Sequence, residues 1–193
     1  MTPNDFKIIL VDDDPATYWR IHAELDHANL LDHCTFKLCL VPAEAGNDGA
    51  EAIVARAKGF NLIFVDLLLQ DRLHLKMSSR AESANLTGTL YGLEIVKQLL
   101  DDIKMSPPVG GHPCVCVLSA YAGLPNVIRE IISYDRFFVS FDEMLQSFTS
   151  EHTIKRVIYA DKSERTFEGL CSLIPQLSTG KATVAFPFDS GWR

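Results

Sequence analysis

The sequence lacks the features that mark several classes of protein. No apolar run approaches the roughly 20 residues needed to span a bilayer. The first residues, MTPNDFKIIL, have neither the basic region nor the long apolar core of a signal peptide. Basic residues are in deficit, with 18 Lys and Arg against 25 Asp and Glu and a net charge of -7. We therefore expect a cytoplasmic protein whose main partners are neither membranes nor nucleic acid.

The sequence also lacks a disulfide or zinc pattern. It has five cysteines, an odd number, with no CxxC pair, and none of its six histidines belongs to an HExxH motif. Cys114 and Cys116 alternate along a predicted strand and project to the same face, so a metal role is conceivable. Reduced thiols in the core are the favoured interpretation.

Short apolar runs alternate with helical patterns along much of the chain. The runs predict strands at 7–11, 35–41, 60–66, 113–120 and 156–161, and the periodic segments predict helices at 16–27, 50–58, 90–102, 141–148 and 166–177. In the first helix, Trp19 and Ala23 are predicted to face inward. This alternation favours an α/β fold with a parallel sheet covered by helices.

Three segments interrupt or follow this alternation. Residues 72–87 are polar, have no clear period and predict an inserted loop. A second insertion is predicted within 121–155, where FFV at 137–139 fits either a strand or a buried helix. The last sixteen residues, 178–193, have no period and are predicted to form a C-terminal tail or partner-docking segment.

Polar side chains stand at the ends of four predicted strands: Asp12 and Asp13, Asp66, Ser119 and Lys162. In a doubly wound sheet these ends converge on one crevice. Three carboxylates there would repel one another unless a hard cation joined them, and Mg²⁺ prefers such oxygen ligands. A phosphoryl group could accept a hydrogen bond from the Ser119 hydroxyl and pair with the Lys162 ammonium. The pattern therefore indicates Mg²⁺-assisted phosphoryl transfer onto an aspartate.

Six segments resemble the receiver domain of two-component response regulators, and together they extend over most of residues 5–177: KIILVDDDP, NDGAEAI, NLIFVDLLLQD, GLEIVKQL, VCVLSA and YADKS. The resemblance implies a flavodoxin-like, doubly wound, five-stranded parallel sheet in the order 2-1-3-4-5. It also implies one receiver domain over 1–177 followed by a tail.

The resemblance implies roles for individual residues. Asp66 corresponds to the phosphoacceptor. Asp13 corresponds to the direct Mg²⁺ ligand, Asp12 to the acid that acts largely through metal-bound water, and the backbone carbonyl of Leu68 to the third protein ligand. Ser119 corresponds to the switch hydroxyl, and Lys162 corresponds to the invariant lysine. The implied partners are a histidine kinase or phosphotransfer protein and a downstream protein. No separate catalytic output domain is recognisable, so the chain is not expected to be an enzyme beyond its own phosphorylation.

The sequence departs from the family pattern in several places. Gln70 replaces the usual proline, and Ala160 stands near the usual aromatic switch position. RFFVSFD is a competing fifth strand, which would put Val139 or Ser140 in the lysine position. Lys162 is favoured because YADKS precedes a good closing helix.

Two other functions stay open. A degenerate receiver could act as a binding module that needs no phosphorylation. A phosphatase of the haloacid dehalogenase type requires DxDx[TV] after the first strand, and here Ala16 occupies the last position of that motif.

Overall fold

The computed structural model describes residues 6–41, 49–67, 69, 91–106, 111–119 and 137–188. The strands are β1 (Phe6–Asp12), β2 (Cys34–Leu40), β3 (Leu62–Asp66), β4 (Cys114–Ser119), β5 (Phe138–Ser140), β6 (Thr153–Ile154), β7 (Val157–Asp161) and β8 (Thr183–Val184). The α-helices are α1 (Pro15–His27), α2 (Gly49–Ala57), α3 (Tyr91–Met105), α4 (Phe141–Glu151) and α5 (Glu164–Ser178). A short 3-10 helix covers Leu31–His33.

Over the described residues, the main sheet has six strands in the order β2-β1-β3-β4-β7-β5, and every neighbouring pair is parallel. The first five positions reproduce the predicted 2-1-3-4-5 order, so the flavodoxin-like α/β class is confirmed. The predicted count of five strands is wrong, because β5 adds a sixth strand at the edge. Right-handed crossovers put α1 and α2 on opposite faces, in agreement with the packing of α1 on α5 and of α2 on α3.

Burial along the strands follows their places in the sheet. All residues of β3 and β4 are buried, as are all residues of β1 except Lys7. Strands covered by helices on both faces need such continuous apolar runs. The edge strand β2 alternates instead between exposed and half-buried residues over most of its length.

Both candidates for the fifth strand are strands. β7 pairs with β4, and the competing segment forms β5, which pairs only with β7 within the described part of the sheet. Ser140 then begins α4 with a capping box, in which Ser140 and Glu143 exchange hydrogen bonds. The βαβ unit β5-α4-β7 therefore extends the sheet beyond β7.

The first helix begins as predicted and faces a different way. Asp14 is its N-cap and Pro15 lies in its first turn. The prediction that Trp19 and Ala23 face inward is wrong, because Trp19 is 64% exposed and Ala23 is exposed as well. The buried stripe instead contains Thr17, Ile21 and Leu25. At the surface, the Trp19 ring packs edge-to-face against the Tyr18 ring, with the ring centroids 5.2 Å apart.

Part of the predicted C-terminal tail belongs to the folded unit. β8 pairs in parallel with β6 to form a second, two-stranded sheet. Ala182, Val184 and Phe186 are buried, because alternate residues of this extended segment face the core. Residues 189–193 and the predicted insertion at 72–87 lie outside the described residues, as does the part of the insertion predicted within 121–155 that precedes Phe137. Within the ranges given above, no helix combines the length and apolar character required to cross a membrane.

Candidate metal and phosphoryl site

Two buried aspartates end adjacent strands at the carboxyl edge of the sheet. Val11 of β1 is in register with Val65 of β3, so the next residues, Asp12 and Asp66, lie side by side. Asp12 is 0% exposed and Asp66 is 4% exposed. Burying an ionised carboxylate is costly unless it is paired or binds a cation. The burial therefore argues for a specific partner at this edge.

A third carboxylate completes an acidic cluster. Asp12, Asp66 and the half-buried Asp13 each offer an oxygen, and these oxygens lie within 4.8 Å of one another. With Lys162 next to them, three negative charges and one positive charge leave a net charge of -2. Mg²⁺ has the matching charge and prefers oxygen ligands. The donor set thus fits a magnesium ion held by these three aspartates. The remaining predicted ligand, the carbonyl of Leu68, lies outside the described residues.

Lys162 bridges the two buried aspartates. Its Nζ lies 2.8 Å from Asp12 Oδ2 and 3.2 Å from Asp66 Oδ1, and its side chain is 10% exposed. The ammonium also donates to the hydroxyl of Thr17, at 3.3 Å. Sequence reasoning missed Thr17, because a buried threonine in the first turn of an amphipathic helix gives no signal beyond its place three residues after Asp14.

The charges in this cluster shift one another's pKa values. Burial raises the pKa of Asp12, and hydrogen bonds from Lys162, the backbone N–H of Asp14 and Thr17 only partly oppose this effect. Burial by itself would lower the pKa of Lys162, but its interactions with Asp12 and Asp66 outweigh burial and leave the pKa raised. The lysine therefore stays charged at neutral pH.

The backbone of Lys162 is tied to the next strand of the sheet. Its N–H donates to the carbonyl of Ser119 at 2.9 Å, directly after the register pair Ser119–Asp161. Ser119 itself is buried, at the end of β4. The competing residues Val139 and Ser140 lie one strand further out, on β5, and Ser140 caps α4. Of the two alternatives from the sequence, Lys162 is the one that contacts Asp66.

Gly92 lets α3 approach the backbone that carries Asp66. A Cβ atom built on Gly92 would lie 1.9 Å from the carbonyl oxygen of Asp66 and 2.9 Å from Cα of Leu67. Only glycine fits at this distance, since the clashing atoms belong to the backbone and cannot rotate away. Gly92 therefore helps to set the position of the turn after β3.

Comparisons with known proteins give structural neighbours only. No family model and no curated protein matches the sequence. Among solved structures, the receiver domain of the histidine kinase CKI1 from Arabidopsis thaliana, as a D1050A mutant, is 13% identical, with 91% of each chain covered and a TM-score of 0.45. The RcsB response regulator of Salmonella typhimurium is 13% identical, with 94% of this chain and 64% of that chain covered and a TM-score of 0.44.

The non-phosphorylated receiver domain of the stress response regulator RcsB from Escherichia coli is 12% identical, with 94% of this chain and 99% of that chain covered and a TM-score of 0.41. These neighbours are receiver domains or contain one, and the sequence segments quoted above resemble the same family. By these matches the chain is similar to the receiver domain of a histidine kinase and to the receiver domain of a response regulator.

Proposed function

We propose that this chain is a receiver-type phosphoacceptor that takes a phosphoryl group on Asp66 with the help of Mg²⁺. The observation that carries the proposal is the position of Lys162 Nζ, 2.8 Å from Asp12 and 3.2 Å from Asp66, beside a cluster of three carboxylates. A lysine and three acids that converge at one end of a sheet suit the transfer of an anionic group.

Each residue would have a distinct task. A carboxylate oxygen of Asp66 attacks the phosphorus of the donor, and the O–P bond forms as the bond to the donor's leaving group breaks. Lys162 pairs with the phosphoryl oxygens once their charge lies next to Asp66. The Ser119 hydroxyl, at the end of the adjacent strand, donates to another phosphoryl oxygen. Mg²⁺, held by Asp12, Asp13 and Asp66, would neutralise the charge that develops on the phosphoryl oxygens.

We further propose that the phosphoryl donor is a histidine kinase or phosphotransfer protein and that the output is a changed protein–protein contact. The added negative charge on Asp66 would draw the Lys162 ammonium away from Asp12. Because Lys162 lies in the turn between β7 and α5, phosphorylation would then change the conformation of that turn. The absence of a basic surplus in the sequence agrees with a protein partner rather than nucleic acid. Such a relay would operate in the cytoplasm.

The direct test is phosphoryl uptake from acetyl phosphate in the presence of Mg²⁺, followed by intact mass. We expect the wild-type protein to gain one phosphoryl group and Asp66→Asn to gain none. Asp26→Asn is the matched control, since Asp26 is an exposed aspartate on α1, and it should behave as wild type. Near-identical circular dichroism spectra would show that the variants fold.

Three results would contradict the proposal. Failure of the wild-type protein to take up phosphate would favour the pseudo-receiver, a binding module that needs no phosphorylation. Uptake that persists in Asp66→Asn would place the acceptor elsewhere. Steady hydrolysis of a phosphomonoester, lost in Asp12→Asn and kept in Asp66→Asn, would favour a phosphatase of the haloacid dehalogenase type.

A further inference from the structure

The turn that carries Lys162 is held by several hydrogen bonds that involve side chains. Lys162 lies between Asp161, the last residue of β7, and Ser163, the N-cap of α5. No role for Asp161 was predicted from the sequence.

The Asp161 carboxylate is the centre of this set. Its Oδ1 accepts a hydrogen bond from the Ser163 hydroxyl at 2.6 Å, from the Ser163 backbone N–H at 3.3 Å and from the Thr166 hydroxyl. The Ser163 Oγ in turn accepts from the backbone N–H of Thr166 at 3.3 Å. Burial would raise the pKa of Asp161, but these hydrogen bonds outweigh it and hold the pKa below its usual value. One carboxylate therefore ties the end of β7 to the first turn of α5.

We propose that Asp161 is a positioning residue for Lys162. Neighbouring residues of an extended chain project to opposite sides, so Asp161 fastens the turn on one side while Lys162 reaches Asp12 and Asp66 on the other. On the strand side, the Lys162 N–H donates to the Ser119 carbonyl. The backbone on both sides of Lys162 is thus fixed, by β4 before it and by the Asp161–Ser163–Thr166 network after it.

This restraint matters because of the side chain that it serves. The lysine side chain has four rotatable bonds between Cα and Nζ, and it loses this rotational freedom when it is held in one conformation. Its Nζ has to satisfy two carboxylates at once, and a backbone shift of about 1 Å would move it out of range of one of them. A fixed turn keeps the ammonium between the two acids before any phosphoryl donor binds.

The effect of this network on phosphoryl transfer rests on the proposed function, whereas its effect on the placement of Lys162 does not. The experiment therefore uses two readouts at fixed pH. The first is the rate of phosphoryl uptake at saturating acetyl phosphate and Mg²⁺. The second is the ¹H–¹³C signal of the Lys162 ε-methylene group in lysine-labelled protein without a donor.

Three variants separate positioning from general stability. Asp161→Ala removes every acceptor, whereas Asp161→Asn keeps an oxygen that can accept the same hydrogen bonds. Ser140→Ala removes the equivalent cap from α4, one strand further out. We expect about a tenfold slower uptake in Asp161→Ala, as is usual when the support of a site residue is removed. The same variant should shift the Lys162 signal. We also expect rescue of both readouts in Asp161→Asn and no change of either in Ser140→Ala.

The proposal is overturned if Asp161→Ala leaves the Lys162 signal where it is in wild type, or if Ser140→Ala shifts that signal equally. If Asp161→Ala does not fold, Thr166→Val, which removes one donor to the carboxylate, takes its place with a smaller shift expected. If the wild-type protein accepts no phosphoryl group, the proposed function fails and the Lys162 signal alone decides on Asp161.

Discussion

The carboxyl edge of the sheet has an acidic half and a basic half. The residues of the acidic half were easier to predict from the sequence than those of the basic half. The acidic half is formed by β1 and β3, whose apolar runs end directly in Asp12 and Asp66. The basic half is formed by β4 and β7, with Ser119 and the lysine that follows β7. A carboxylate that ends a long apolar run stands out in a sequence, whereas a lysine after a short strand indicates a site only when the place of its strand in the sheet is known.

The place of β7 depends on pairing that the sequence does not specify. β5 and β7 are both short apolar strands that run in the same direction. Either would have fitted next to β4, and the choice decides which residue reaches Asp66. The closing helix α5, which packs against α1 next to β1, favours β7 in that position. The following predictions test whether the basic half contributes as much to the site as the acidic half.

The largest effect is expected for Lys162→Ala. Removing the ammonium should slow phosphoryl uptake by about 100-fold, the usual cost of losing one stabilising donor in a site of this kind. Lys155→Ala is the control, since Lys155 is an exposed lysine shortly before β7, and its uptake rate should equal that of wild type. Equal rates in Lys162→Ala and wild type would mean that Lys162 does not contribute to phosphoryl transfer.

The next effect concerns the backbone of the acidic half. Gly92→Ala should lower the free energy of unfolding by about 2 kcal/mol, since a methyl group cannot fit against the Asp66 carbonyl. In Gly169→Ala the added carbon meets the ring edge of Phe141 instead. That ring can move, so a smaller loss of stability is expected. Urea unfolding of both variants would check the order, and a larger loss in Gly169→Ala would contradict it.

A smaller effect is expected where the sheet extends beyond β7. Ser140→Ala removes the N-cap of α4 and should cost about 1 kcal/mol of stability. Phosphoryl uptake should stay at the wild-type rate, because Ser140 belongs to β5, one strand further out than the strand that Lys162 follows, and its side chain caps α4. Thermal unfolding together with the uptake assay measures both quantities. Slower uptake in this variant would place β5 within the functional edge.

The smallest effect is expected for chemical labelling of the free thiols, which changes no residue of the site. Burial raises the pKa of Cys114 to about 12 and raises that of Cys116 as well. At pH 8 these thiols of β4 therefore hold almost no reactive thiolate in the folded protein. Cys34, half-buried at the start of the edge strand β2, should react first with a thiol reagent. Mass mapping after brief labelling tests this order, and early labelling of Cys114 or Cys116 would show that the centre of the sheet opens.

An element could be predicted from the sequence where its position in the fold restricts which residues it can contain. Strands β1, β3 and β4 were predictable because helices cover both of their faces, which requires continuous apolar runs. Helix α1 was found through Asp14 and Pro15, but its inward face was assigned wrongly. An aromatic side chain contributes to an apolar pattern whether it packs in the core or lies on the surface, as Trp19 does.

Contacts between distant segments were harder to predict. The segment after α5 looked irregular, yet β8 pairs with β6 some thirty residues earlier, at Thr153–Thr183. Thr17 and Asp161 were missed for a similar reason. Thr17 becomes part of the site only because Lys162, 145 residues away in sequence, reaches it. The hydrogen-bonding role of Asp161 depends on the geometry of a turn, which composition and periodicity do not encode.

The most direct test of the central claim is ¹⁹F NMR of the protein with beryllofluoride, an analogue of the phosphoryl group. We predict a bound fluoride signal for the wild-type protein only when Mg²⁺ is present, and none for Asp66→Asn under the same conditions. A signal of equal intensity in Asp66→Asn, or no bound signal in the wild-type protein with Mg²⁺, would contradict the account of Asp66 as a metal-assisted phosphoryl acceptor.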